Sequence, residues 1–296
     1  MRIAVTGASG LIGSALLPEL RAAGHDVITL VRRTPRADGE VGWDPQAGTV
    51  DEAGLAGVDA IVHLAGFNLG TRWTNAKKRL ILDSRVGGTR LIAETSARLD
   101  PRPAALVCAS AIGFYGERGD DVLTETEPRG AGFLAEVVEA WEAAAEPARD
   151  AGIRVVSLRQ GLVLSRHGGA LARLVTPFRL GLGGPVGSGR QWWSWIALED
   201  VVRAYLHVLE HPLAGPLNVT APEPARNREL VKALGRALHR PALAPFPALA
   251  VEVLLGEMGR ELLLTSQRVV PTGLTDGGFD FRQPSLDGAL ASLIAT

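Results

Sequence analysis

Short apolar runs alternate along this chain with longer segments in which apolar residues return every three or four positions. Ile3 and Val5 mark a buried strand, Leu11, Ala15, Leu16 and Leu20 recur at helical spacing until Gly24, and residues 27–31 are a second apolar run. This strand–turn–helix–strand unit of about thirty residues has the size of a parallel crossover. The pattern then predicts a strand ending in "AIVHLAG" (60–66), a helix over about 75–99 and a strand opening "ALVCASAIGFYG" (105–116). A helix starts after Gly132, a fifth strand covers 153–165, and a helix running to about 180 is expected to break at Pro177. A strand end and helix (195–211), a last sheet strand in "GPLNVTAP" (215–222) and an amphipathic helix from 227 follow. Two short helices, a turn-rich stretch over Gly273–Gly278 and a final helix near Ser285 complete the chain. Strands alternating with helices in this order predict an α/β fold, a doubly wound parallel sheet of Rossmann type.

The first turn carries the chemistry. Gly7, Gly10 and Gly13 fall where strand becomes helix, so the stretch Gly7-Ala8-Ser9-Gly10-Leu11-Ile12-Gly13 is the expected cradle for a pyrophosphate. Glycine there allows a tight turn and close backbone approach, and the free amides of the helix start favour an anion. The end of the second strand then chooses the dinucleotide. A carboxylate would bind the ribose hydroxyls of NAD; this chain has Arg32 and Arg33, whose forked guanidiniums suit a 2′-phosphate, so NADP(H) is expected.

Composition narrows the partners. The chain has 296 residues, 46% hydrophobic and 21% charged, as a soluble globular protein should, and a formal net charge of -1. That balance argues against nucleic acid and against an anionic membrane surface. Cys108 is the only cysteine, which excludes an intramolecular disulfide and a cysteine-rich metal site, and the six histidines are scattered, so no metal is expected. No apolar run is long enough to span a membrane, and the first residues lack a signal-peptide pattern, so a cytoplasmic monomer or homodimer acting on a small molecule is expected.

"TGASGLIG" (6–13) and "DAIVHLAG" (59–66) resemble the extended short-chain dehydrogenase/reductase superfamily. "GWDP" (42–45), "DSR" (83–85), "AWEAAA" (140–145), "PFRLGLGGPVGSG" (177–189) and "PLNVTAPEP" (216–224) narrow this to its atypical, nucleoside-diphosphate-sugar epimerase-like subgroup. The resemblance implies a seven-stranded NADP(H)-binding domain, here 1–165 and 196–222, with a C-terminal substrate lobe over 166–195 and 223–296. It also implies cofactor contacts at the glycine turn, Arg32, Leu64-Ala65-Gly66, Arg85 and Leu162.

The superfamily's proton donor is missing. Its usual tyrosine and lysine stand one helical turn apart, the lysine lowering the phenol's pKa. Only Tyr115 and Tyr205 exist here, followed four residues later by Gly119 and Leu209. Alignment through the strand and the "AWEAAA" helix puts Phe133 and Val137 at the pair's positions. Ser110 and Tyr115, at the carboxyl edge of the fourth strand, are the expected substitutes, with Glu136 as another acid. Trp192, Trp193 and Trp195, after a glycine-rich segment, are expected to wall the substrate site or to pack between the lobes. Two readings stay open: an NADP(H)-dependent oxidoreductase or epimerase, and a non-catalytic NADP(H) sensor.

Overall fold

The computed structural model describes residues 1–295; Thr296, the last residue of the expected lobe, lies outside the described residues. The first crossover is as predicted: β1 (Arg2–Thr6), α1 (Leu11–Ala22) and β2 (Asp26–Val31). Next come β3 (Glu40–Asp44) and β4 (Thr49–Val50), which the hydrophobic pattern did not announce because glycine and aspartate interrupt it, and then β5 (Ala60–His63). α2 (Asn75–Arg98) leads to β6 (Ala105–Ala111), a short β7 (Val122–Leu123), α3 (Phe133–Ala143), α4 (Glu146–Asp150) and β8 (Arg154–Gln160).

The expected fifth strand does not run on to 165. It breaks at Gly161, where any side chain would overlap the Ser194 carbonyl, and β9 (Leu162–Leu164) turns away to pair elsewhere. α5 (Gly169–Arg179) follows and contains Pro177 near its C-terminal end, so the proline does not break it. β10 (Trp192–Trp193), β11 (Trp195–Ala197), α6 (Leu198–Glu210) and β12 (Gly215–Val219) come next. The remainder is β13 (Ala225–Arg226), α7 (Asn227–Ala237), α8 (Ala248–Leu255), α9 (Glu257–Gly259), a π-turn over Arg260–Leu264, β14 (Arg268–Val269), α10 (Thr272–Asp276) and α11 (Leu286–Ala295).

The main sheet has the order β12-β8-β6-β5-β1-β2-β3-β4, with β4 antiparallel to β3 and the other seven strands parallel. Side chains alternate across it with period two. Ile3, Val5, Ala60, Val62, Val107 and Val156 pack into the core under α1 and α6, while Ala4, Ile61, Leu106 and Val155 enter the core on the opposite face, where α2 and α4 lie. Burial on both faces explains why these strands read as near-continuous apolar runs. A third core, built around Leu171, Phe178, Trp193, Trp195, Leu230 and Leu234, holds α5 and α7 to the C-terminal helices. Strand order reverses between β1 and β5, which opens a crevice at the carboxyl ends of these strands.

Candidate cofactor and substrate site

The crevice is floored by the glycine turn. Gly7 has φ +68°, and a side chain there would press within 2.8 Å of the Leu64 carbonyl carbon. A side chain at Gly13 would overlap the Gly7 carbonyl oxygen, so this third glycine lets α1 lie against the turn. Gly10 caps α1 without a side-chain hydrogen bond, and the first turn has no acidic residue. The helix therefore presents uncapped amides and an unopposed positive dipole end. Beside the turn, the buried Thr6 hydroxyl accepts from the amides of Leu64 (3.1 Å) and Ala65 (3.3 Å). With both lone pairs engaged, it gives its own proton to His63 Nδ1 at 2.8 Å. Burial pushes the His63 imidazole down to about 4, so the ring stays neutral and keeps that acceptor. Threonine and histidine together fix the Leu64-Ala65 backbone over Gly7.

At the end of β2 the two arginines differ. Arg33 forms a two-pronged pair with Glu40 (2.5 and 2.8 Å), and its guanidinium holds that carboxyl down at about 2. Arg32 is exposed and meets no acceptor among the described residues, which leaves its charge for a ligand one strand away from Gly7.

Beyond the turn, a cavity of about 1030 Å³ separates the sheet edge from the C-terminal segment. Arg85 lines it. This residue is not on an outer helix face: it is buried, donates to the Phe67 carbonyl (3.1 Å) and the Ile81 carbonyl (3.3 Å), and lies 5.0 Å from the Trp141 ring. Among the described residues no carboxylate pairs with it, and burial pushes its pKa down to about 10. Gly66 lies against this guanidinium, Leu162 lines the cavity wall, and Gln160 sits beside it with its amide donating to Tyr205.

α3 faces the cavity with Leu134, Val137, Val138 and Trp141. Phe133, expected there, instead packs edge-on against Trp73 and under Lys78 Nζ, and Glu136 is exposed to solvent. Val137, the other position expected to hold the pair, does line the cavity, and the face is apolar throughout. The N-terminus of α3 is capped from across the cavity, because the Glu261 carboxylate accepts from the amides of Phe133 and Leu134 at 3.1 Å each.

Two expectations are corrected. Ser110 and Tyr115 do not line the cavity. Ser110 donates to Glu142 (2.6 Å), which holds Arg159 through two bonds of 2.7 and 2.8 Å. The fully buried Tyr115 donates to Asn218 (2.7 Å) and accepts from the same Arg159 (3.1 Å); burial, its dominant influence, raises its pKa. Both hydroxyls belong to a buried network behind the cavity wall. Of the three tryptophans, Trp192 and Trp193 line the cavity, whereas Trp195 is fully buried and donates to the Glu223 carbonyl. The cavity residues that sequence reasoning missed include Arg72, Arg260, Glu261 and Gln267, from segments whose pattern gave only short helices or loops, and Arg173, from the helix expected to run to about 180. His207 and His211 stack with ring centroids 3.9 Å apart, and no metal-ligating cluster occurs among the described residues.

A parallel sheet with this strand order, a glycine turn opening α1 and an unpaired arginine at the end of β2 define a Rossmann-type nucleotide-binding protein. The NAD dependent epimerase/dehydratase family matches residues 3–220, and a domain of unknown function, DUF1731, matches 246–293; the chain belongs to that epimerase/dehydratase family. It is 44% identical to the epimerase family protein Mb2239 of Mycobacterium bovis over 97% of this chain and 96% of that one. The crystal structure of human epimerase family protein SDR39U1 (isoform 2) with NADPH superposes with a TM-score of 0.92 at 35% identity, covering 100% of both chains. MoeE5 in complex with UDP-glucuronic acid and NAD matches with a TM-score of 0.78 at 25% identity, over 100% of this chain and 98% of that one.

Proposed function

We propose that the protein is an NADP(H)-dependent oxidoreductase or epimerase-like enzyme that acts on a small molecule in the cavity. The observation that carries this reading is the pairing of a cradle only glycine can form, at Gly7 and Gly13, with the uncommitted guanidinium of Arg32 at the neighbouring strand end. The NADPH of the human relative's crystal structure supports the same choice. In this reading residues 7–13 hold the pyrophosphate, Arg32 the 2′-phosphate, the Leu64-Ala65-Gly66 backbone the adenosine side, and Arg85 and Leu162 the nicotinamide side. Residues 1–165 and 196–222 form the dinucleotide domain, and 166–195 with 223 onward close the cavity. A cytoplasmic location fits a lone, buried Cys108.

When bound, the nicotinamide supplies or accepts a hydride. The protein's part is to orient and to exclude water: Leu134, Val137 and Val138 dry the wall, and the Arg85 guanidinium places a positive charge where negative charge develops. Leu134, Val137 and Val138 carry no transferable proton, so the helix face where the tyrosine–lysine pair was expected supplies no acid. The same observation favours the second reading, an NADP(H)-binding sensor that turns nothing over.

Titration of NADPH and NADH into wild type and Arg32→Ala tests the cofactor. The variant should lose at least about 10-fold in NADPH affinity, as expected for a charge-assisted hydrogen bond, with NADH little changed. Equal weakening of both overturns the 2′-phosphate assignment. Single-turnover oxidation of bound NADPH across a carbonyl and nucleotide-sugar library separates the two readings, and persistent inertness selects the sensor.

A further inference from the structure

We propose that the ligand of the cavity is an anionic amphiphile, an apolar chain or ring system ending in a carboxylate or phosphate, and not a polyhydroxylated sugar. The proposal rests on the reading of the cavity as a substrate site and names the class of molecule it takes. It begins with which polar groups on the wall are still unengaged. The side-chain donors of Gln160, Gln267, Ser194 and Thr265 all go to protein acceptors. The Glu117 carboxylate accepts from the amides of Ser266 and Gly119, and that of Glu261 caps α3. A sugar brings several hydroxyls, each of which needs a partner once removed from water. Asn68, whose oxygen takes the Gly70 amide, keeps its own N–H groups, but the wall offers few other uncharged partners. What it does present is hydrocarbon: Leu134, Val137, Val138, Leu162, Leu174 and Met258.

The exception is positive charge. Arg72, Arg173 and Arg260 line the same cavity, and among the described residues none pairs with a carboxylate. The segments that carry them meet along one side of the cavity. Arg173 Nη1 donates to the Gly70 carbonyl at 3.0 Å, and Arg72, two residues along, lies beside Gly256. The Gly256 carbonyl in turn accepts from the Arg260 amide at 3.2 Å. All three are exposed at the mouth, whereas Arg85 lies deeper, on the nicotinamide side. Exposed guanidiniums lining an otherwise apolar chamber match a single anionic head with a hydrocarbon body.

Two further features fit. At about 1030 Å³ the chamber slightly exceeds the roughly 300–1,000 Å³ usual for small-molecule sites, so it has room for more than a nicotinamide ring. The apolar wall also continues outward. Leu255 lines the cavity, and its neighbour Leu254 is 58% exposed; Leu262 both lines the cavity and reaches solvent at 38%. A chain longer than the chamber can therefore extend outward over Leu255, Leu254 and Leu262.

Calorimetric titration of the full-length protein, saturated with NADPH, tests this with octanoate, decanoate, decyl phosphate, decanol and UDP-glucose. Decanoate should bind about 10-fold tighter than octanoate, because each buried methylene adds roughly 3- to 4-fold. It should also bind at least 10-fold tighter than decanol, and UDP-glucose should bind more weakly than either acid. The order of decyl phosphate and decanoate identifies the head group, and either order supports the class. Arg72→Met combined with Arg260→Met should remove most of the gap between decanoate and decanol, leaving decanol and NADPH affinities as they were. Tighter binding of UDP-glucose than of decanoate, indifference to chain length, or an unchanged decanoate affinity in the double variant each overturns the proposal. The NADPH titration is read separately. If it fails while the acids still bind the ligand-free protein in the expected order, the cofactor reading falls and the amphiphile assignment stands.

Discussion

Tyr115 shares a 2.7 Å hydrogen bond with Asn218 and a 3.1 Å bond with Arg159, and its ring stands edge-on to Phe114. Arg159 lies 3.5 Å above the Phe114 ring and is locked to Glu142, which also takes the Ser110 proton. Such a network stabilises because every member is satisfied, and removing one member leaves a polar group stranded in low dielectric. Tyr115→Phe is therefore expected to lower unfolding free energy by about 1–3 kcal/mol in denaturant titration, with NADPH affinity unchanged within 2-fold. Loss of hydride turnover in a variant of undiminished stability would instead place the phenol in contact with substrate. From the sequence, Ser110 and Tyr115 were visible as hydroxyls at the right edge of the sheet. What could not be seen was that Glu142 and Asn218, 32 and 103 residues away, claim them.

At the level of elements, α1 is held to the turn by the space a missing side chain leaves. Gly13→Ala puts a methyl into the Gly7 carbonyl, so helix and turn must part. Because the amides of the first turn then move off their target, NADPH affinity is expected to fall at least about 10-fold, the loss of one or more hydrogen bonds to a phosphate. Gly24→Ala, where nothing stands within 4 Å but φ is +81°, is the control: it should affect stability without touching affinity. If both variants bind NADPH equally well, the turn is not the phosphate cradle. The glycine spacing made this unit legible in the sequence, because the contact is local. The break at Gly161 was not legible, since its cause is the Ser194 carbonyl on a segment 33 residues further on.

Across the whole molecule, the sheet and the C-terminal segment are joined by the pairing of β14 with β7 and by side-chain ties that include Glu261 on the N-terminus of α3, Lys78 to Glu257 at 2.8 Å, and the Asp200 carboxylate accepting from the amides of Arg282 and Gln283 at 2.9 Å each. Global stability should also carry the signature of His63. Its folded-state pKa of about 4 lies below the ordinary 6.5, so the unfolded chain binds the extra proton first. Stability is full above about pH 6.5 and falls as pH drops toward about 4, by roughly 3 kcal/mol from this group alone, with no further change below. His63→Asn retains an acceptor for Thr6 but does not titrate. The difference between variant and wild type in chemical denaturation should therefore shrink across that window as pH falls. A pH-independent difference would mean that the ring is charged in the fold.

The sequence by itself determined the parts governed by short range: the alternating strands and helices, the glycine turn, the arginines at the end of β2 and the lack of a tyrosine–lysine pair. Periodicity and turn chemistry act between residues a few positions apart, so they can be read along the chain. Only the tertiary structure decided which side chains share the cavity. It sent Ser110, Tyr115 and Trp195 into packed surroundings, turned Phe133 away, buried Arg85 without a carboxylate and brought Arg72, Arg173 and Arg260 to the same cavity. Those outcomes depend on which distant group satisfies each donor and acceptor, a competition settled only when the elements pack.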